Sequence, residues 1–421
     1  MIVYYNNNYK MPSAGTLSLV ELILMGLANI VGAGIFVILG KTIKFGGNKS
    51  LYALLVVACI SMVMGMCYIE IYSRYQSSIT EYLAVKNTLG DIPGHIMIYL
   101  IYLFAAFTCT TIVISISKYI SSYDLFGTGK TALFEKLLSI GLLFAMSAIN
   151  YTGIESSKLV ATSLSVLMLI TIGTIILLSA KHVSIEKTFD APSVSWDSFV
   201  LSTVLSLFLF NGYDLLVKMS DQSANKEDTK TALIACISIT TLIYCAITVS
   251  AICVLKYKTV SGTSNVITKM YEALTNKSIA NLMYVIGAFI MFNTAFLSSM
   301  SATRFMHGMG KHNNIMFSEF WSKTNEFGAP SNAIYATLLI CSLLAILNNE
   351  VLMAVITDMS CIVILILISV SLLILRWNER NDVGAQMTHN YIRGNINNIP
   401  IVVILNLLVL LRGTQVSLRG T

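Results

Sequence analysis

Apolar runs long enough to cross a bilayer recur along nearly the whole chain, and that repetition limits the fold more than any motif. A helix needs about 20 mostly apolar residues to span the hydrocarbon core. Reading the sequence at that window gives eleven runs: 17–40, 51–70, 94–120, 134–150, 156–180, 198–218, 231–255, 279–303, 332–348, 351–376 and a short 398–412. The runs are continuous rather than alternating, so helices and not a barrel satisfy the backbone. Only 11% of the 421 residues are charged and 56% are hydrophobic, against about 25% charged in a soluble domain. No water-soluble fold hides that much apolar surface. Soluble enzymes, nucleic-acid binders and disordered chains are excluded, and the lipid bilayer is the expected partner.

The fold class expected is therefore an all-α, multi-pass integral membrane protein of the cell membrane. Residues 1–16 are polar, with Lys10 as the only charge, and read as a cytoplasmic N-terminal segment without a signal peptide. Placing the N-terminus inside puts 13 of the 27 lysines and arginines on that side, so the positive-inside rule does not decide the orientation. Connections are short and polar. The eight cysteines all fall within apolar spans, with no CxxC pair; they read as small buried hydrophobes, not as a metal site or disulfide framework.

Two spans carry polar interruptions. The first contains Gly26-Leu-Ala-Asn-Ile-Val-Gly-Ala-Gly-Ile-Phe36 and the sixth Phe208-Leu-Phe-Asn-Gly-Tyr-Asp214. Glycine and asparagine weaken a membrane helix. One use is to let it unwind, baring N–H and C=O groups and a half-helix N-terminus that suits a carboxylate. The other is close helix packing through small residues, and in the first span alone the two readings are equal. Interruptions at comparable places in two five-span halves, 17–180 and 198–377 around an external loop at 181–197, favour an inverted-repeat transporter with its site between the breaks. Asp214, costly in lipid unless it meets a cavity or partner, is a functional candidate.

These residues carry a resemblance to the amino acid–polyamine–organocation superfamily of permeases. Gly32-Ala-Gly-Ile-Phe36 is similar to the family's G-[SA]-G-I-F. Phe210-Asn-Gly-Tyr-Asp214, with Asp221-Gln-Ser-Ala-Asn225 and Lys230-Thr-Ala232, resembles its F-x-G-[FYW]-[DE] segment, the acidic pair and the alanine-rich restart of the helix beyond. Ser301-Ala-Thr-Arg-Phe305, with Met306 and Met309, resembles the motif closing span 8, and Ala329-Pro-Ser-Asn-Ala333 the one opening span 9. Together these motifs cover about 17–377.

The resemblance implies a five-plus-five inverted-repeat fold with helices 1 and 6 broken, working by alternating access as a secondary amino acid transporter. A polyamine or organocation carrier, or a non-transporting receptor of the same fold, is the alternative. It also implies that backbone N–H groups around Gly32, Ala33, Gly34 and Ile35 hold an α-carboxylate. Carbonyls near Asn29, Ile30, Phe208 and Asn211 would receive the ammonium, beside Gly212, with Phe208 as an aromatic gate and Asp214 in substrate or proton sensing. Ser298 and Ser299 stand where sodium-coupled relatives place hydroxyl ligands, so proton and sodium are both candidate coupling ions. Met168 stands where some proton-coupled members carry a lysine.

The last span, within 378–421, is short, and no twelfth follows, which leaves a monomer as the expectation. The loop at about 121–133 has no cysteine, so no disulfide-linked heavy chain is expected. Gly127-Thr-Gly-Lys-Thr131 resembles the end of a phosphate loop, but Asp124 occupies the position of its first glycine. No catalytic triad, metal set or cofactor motif stands out. Arg74 and Lys86, in the amphipathic stretch after span 2, read as solvated anchors.

Overall fold

The computed structural model describes residues 16–123, 132–184, 186, 188, 191–261, 265–312, 315–380, 392, 395–396, 399–400 and 402–404. Residues 1–15, the loop residues 124–131 with their phosphate-loop-like run, and most of the eleventh span lie outside the described residues. Among the described residues, nine helices are long and apolar enough to cross a membrane, and Ser331–Leu347 is a shorter apolar tenth. These ten coincide with the first ten runs read from the sequence.

In chain order the helices are α1 (Leu19–Val37), α2 (Leu39–Gly46), α3 (Ser50–Tyr75), α4 (Thr80–Leu89), α5 (Asp91–Tyr123), α6 (Ala132–Tyr151) and α7 (Ile154–Ser179). Then come α8 (Trp196–Phe210), α9 (Asp214–Lys218), α10 (Lys226–Val260), α11 (Val266–Leu274), α12 (Lys277–Lys311), α13 (Ser318–Ser322), α14 (Ser331–Leu347) and α15 (Glu350–Asn378). In the tail, Asn395–Ile396 and Ile399–Pro400 form a two-residue antiparallel ladder. Helix starts are written in the sequence. Ser18 and Glu21 form a reciprocal capping box on α1, satisfying N–H groups that have no helical partner. Asn276 caps α12 and Asn349 caps α15 through side-chain oxygens.

Span 1 does not unwind where its glycines predict. The α-helix runs unbroken from Leu19 to Val37, and Ile38 still donates to the Gly34 carbonyl at 2.9 Å. Only Ile38 (φ −106°, ψ −30°) interrupts it before α2. The glycines serve approach instead. A Cβ on Gly32 would fall 1.7 Å from Thr294 Oγ1, and one on Gly26 2.7 Å from Cys236 Sγ. The enclosed α1 packs against α7, α10 and α12, and small residues are what let helix backbones come that close.

Span 6 does break. Asn211 is extended (φ −69°, ψ 152°) and Gly212 adopts φ +116°, dividing the span into α8 and α9. Spans 1 and 6 are tied at the end carrying the N-terminus: Leu17 N–H donates to Gln222 O and Ala224 N–H to Leu17 O, both at 2.9 Å.

Some charges near the helix ends are paired with one another. Arg376 of α15 donates to Glu70 of α3, and both side chains are wholly buried. Glu70 also accepts the Ile392 N–H at 2.6 Å. Arg74, expected as a solvated anchor, is 7% exposed and binds Glu379 in a two-pronged contact at 2.6 and 2.9 Å, because α15 brings a carboxylate to it. Lys86 is 34% exposed beside Asp91. Removing one partner of a buried pair strands the other charge, at a cost of about 3–5 kcal/mol. Glu70→Gln is therefore expected to lower the thermal midpoint in detergent markedly; an unchanged midpoint would show that the pair is not needed.

Candidate functional site

The break in span 6 interrupts its regular ladder: Gly212 O keeps the Leu215 N–H at 3.3 Å and Phe208 O the Asn211 N–H, and neighbouring side chains add donors around it. Asn29 of α1 donates its amide to Gly212 O at 2.8 Å. Tyr244 of α10 places its hydroxyl 2.8 Å from Leu209 O and 3.0 Å from Ile30 O. Its single proton serves one carbonyl at a time. Ser298 of α12 reaches Asn29 Oδ1 at 3.5 Å, and Cys361 of α15 approaches Asn211 Oδ1 at 3.1 Å. A Cβ on Gly212 would lie 2.9 Å from Asn29 O, so a glycine is required both for its φ and for the crossing of span 1.

Beside this crossing lies a cavity. Spans 1 and 6 contribute Asn29, Ile30, Gly34, Phe208, Asn211, Gly212 and Asp214. Span 3 adds Phe104, Ala105, Thr108 and Ile112, span 8 adds Thr294, Ser298 and Ser301, and span 10 adds Thr357. One side is apolar and aromatic; the other carries hydroxyls, an amide and the backbone of the break. Water centres have about 40 Å³ in it, room for about three waters. An organic ligand needs the walls to part.

Eight of the residues picked from the sequence meet on this wall: Asn29, Ile30, Gly34, Phe208, Asn211, Gly212, Asp214 and Ser298. Gly32 is spent on packing against Thr294. Ile35 is fully buried and Ser299 is 6% exposed, neither on the wall. Ala33 lies in α1, its side chain outside the described set. The N–H groups of residues 32–35 sit inside a continuous helix, where the ladder occupies them. The Phe208 carbonyl takes the Asn211 N–H at 3.3 Å. The candidate ion site is not preassembled: Ser298 donates to Thr294 O at 3.0 Å, and Thr294 to Ala28 O at 3.0 Å. No group of three or more potential metal-ligating side chains occurs among the described residues.

Asp214 is not a bare acid. Lys218, one turn on in α9, is ion-paired to it, and Glu81 of α4 lies 3.9 Å from the same ammonium. The Asp–Lys pair was visible as an i,i+4 spacing. Glu81, Tyr244 and the four residues of span 3 needed the tertiary fold to place them.

Among the described residues, nine bilayer-length helices and a shorter apolar tenth surround a polar break, the build of a multi-pass integral membrane protein. Over 97% of its length the chain superposes on 95% of Mhp1, a nucleobase-cation-symport-1 family transporter, with a TM-score of 0.62 at 9% identity. Residues 17–416 match the amino acid permease family model, and the chain belongs to that family. It is 22% identical over 310 residues to the branched-chain amino acid permease BcaP of Bacillus subtilis, covering 69% of this chain and 66% of that one. It is 21% identical over 245 residues to an uncharacterized transporter of Mycobacterium tuberculosis, covering 57% and 53%. The chain thus spans about half the length of the mycobacterial relative.

Two substitutions probe the break. Tyr244→Phe leaves a buried carbonyl without its donor, at about 1–3 kcal/mol, and should lower the thermal midpoint. Gly212→Ala adds backbone strain of about 1–3 kcal/mol and a clash with Asn29, and should lower it further. Wild-type midpoints in both would contradict the geometry above.

Proposed function

We propose that this protein is a secondary transporter of amino acids with uncharged side chains, working by alternating access through the cavity at the span 6 break. The observation that carries this reading is the pairing of Asp214 with Lys218 beneath a cavity whose remaining lining is uncharged. An acid already bound to an internal ammonium does not recruit a cationic side chain. The hydroxyls, the Asn29 amide and the backbone at Asn211–Gly212 suit a zwitterion's head, and Phe104, Ile112 and Phe208 suit an apolar side chain.

In the substrate-bound state the turn at Gly32–Gly34 opens, so that N–H groups of Ala33, Gly34 and Ile35 reach the carboxylate. The glycines make that opening cheap, since each costs a helix about 1 kcal/mol. Carbonyls at Ile30 and Phe208 receive the ammonium. The halves 17–180 and 198–377 act as the two inverted repeats. Kinship with the branched-chain permease supports the same reading. An organocation carrier would need a free acid in the cavity, and a receptor of the same fold would bind without flux.

Uptake of radiolabelled amino acids into proteoliposomes tests this. Neutral amino acids should accumulate, while lysine, arginine and polyamines should not. Thr108→Trp, which fills the cavity from span 3 without touching the break, should cut uptake at least about tenfold, the effect of 1.4 kcal/mol or more. Uptake of cationic substrates alone, or full uptake by the Trp variant, would overturn it.

A further inference from the structure

A second cavity lies next to the first and shares Phe104, Asn211, Gly212 and Asp214 with it. Its wall also includes Glu81 and Lys218. The side chains of Glu81 and Lys218 are each 1% exposed, and that of Asp214 is 13% exposed. Two carboxylates thus share one ammonium in a buried space, and the charges do not balance. The asymmetry is sharp: Lys218 donates to Asp214 Oδ2, but neither oxygen of Glu81 has a hydrogen-bond partner among the described residues.

The elements packed around Glu81 bring no second cation to it. The break and α9 present Tyr213, Asp214 and Lys218; α3 presents Tyr68; α15 presents Cys361, Ile364 and Leu365; α5 presents Ile101 and Phe104. On α4 itself the cation is Lys86, which sits beside Asp91 and over the Tyr82 ring. Among the described residues Lys218 is the one cation of this pocket, and Asp214 already holds it. An ionised carboxylate without donors in such a place costs several kcal/mol, and taking up a proton removes the cost.

We infer that Glu81, in the cluster Glu81–Lys218–Asp214, is the proton-binding group to which transport is coupled. The inference rests on the transport reading and names its coupling ion. Burial pushes the Glu81 carboxyl up to about 7, with Lys218 opposing and Asp214 reinforcing the shift. The sign follows by linkage. The closed arrangement raises the affinity of Glu81 for a proton, so protonation favours closure, and closure weakens as pH rises through about 7. Opening α4 away from α9 rehydrates Glu81, returns it to the ordinary carboxylate range and releases the proton to water. On uptake an O–H bond of hydronium breaks as the carboxyl O–H forms; on release the carboxyl O–H breaks and the proton returns to water as hydronium. The shared wall of the two cavities connects this site to the substrate site.

Two measurements on the full-length protein test the inference. In proteoliposomes, an inside-alkaline gradient should drive accumulation of a transported neutral amino acid by up to about tenfold per pH unit at one proton per substrate. Glu81→Gln, fixed in the neutral form, should lose that response and the accompanying internal acidification, yet still exchange substrate for substrate at equal pH. Independently of transport, difference infrared spectra of the wild type should show a carboxylic-acid carbonyl band, absent in Glu81→Gln, that titrates near pH 7. A gradient response that survives in Glu81→Gln, accumulation driven by sodium and indifferent to pH, or a band titrating in the ordinary carboxylate range would overturn the inference. Absence of any uptake alongside a band titrating near 7 would instead refute the transport reading and leave the proton site standing. If Glu81→Gln does not fold, the wild-type infrared titration and the wild-type response to proton and sodium gradients decide.

Discussion

The crossing of Asn29 over Gly212 is the constraint on which the rest of the site depends. A helix that stops inside a bilayer bares carbonyls that lipid cannot satisfy, each at a cost of several kcal/mol. Here the stop is tolerated because span 1 lies close enough for Asn29 to cap Gly212 O and for Tyr244 to bridge Leu209 O and Ile30 O. That proximity exists because residue 212 has no Cβ. The same interactions that stabilise the break hold its backbone at the edge of a cavity. Stability and site are therefore two consequences of one arrangement.

Charge is handled with equal economy. Three ion pairs join ionisable residues in or next to the spans: Glu70 with Arg376, Arg74 with Glu379, Asp214 with Lys218. The first two pairs join α3 to α15 and its C-terminal edge and behave as structural staples. The third differs because Glu81 crowds into it, giving three charges that do not cancel. Balanced pairs lock a structure, whereas an unbalanced cluster responds to its surroundings.

Much of the architecture was legible in the sequence because bilayer thickness imposes a length that any apolar run must meet, and the first ten runs all became helices. The break in span 6 was legible for a similar reason: Asn-Gly next to an acid has little use inside a regular membrane helix. Span 1 misled because glycine serves two ends. Gly32 and Gly34 can loosen a helix or let a neighbour approach, and only the position of Thr294 shows that packing prevails at Gly32. Lys218 was within reach as the residue four after Asp214. Glu81 was not, because its stretch reads as an amphipathic connection, and it acquires its meaning only when α4 folds against α5 and α15 and comes beside Lys218. Span 3 offers Phe104 and Thr108 to the cavity, and nothing in its uninterrupted apolar pattern marks them.

The central claim, that substrate sits at the span 6 break, is tested most directly by a structure of the protein with its transported amino acid bound. Density for the ligand is expected between Phe208, Thr108 and the Asn211–Gly212 backbone, with the turn at Gly32–Gly34 opened toward its carboxylate. A ligand seated away from the span 6 break, with span 1 still wound through Gly34 and the Asn29–Gly212 crossing undisturbed, would contradict it.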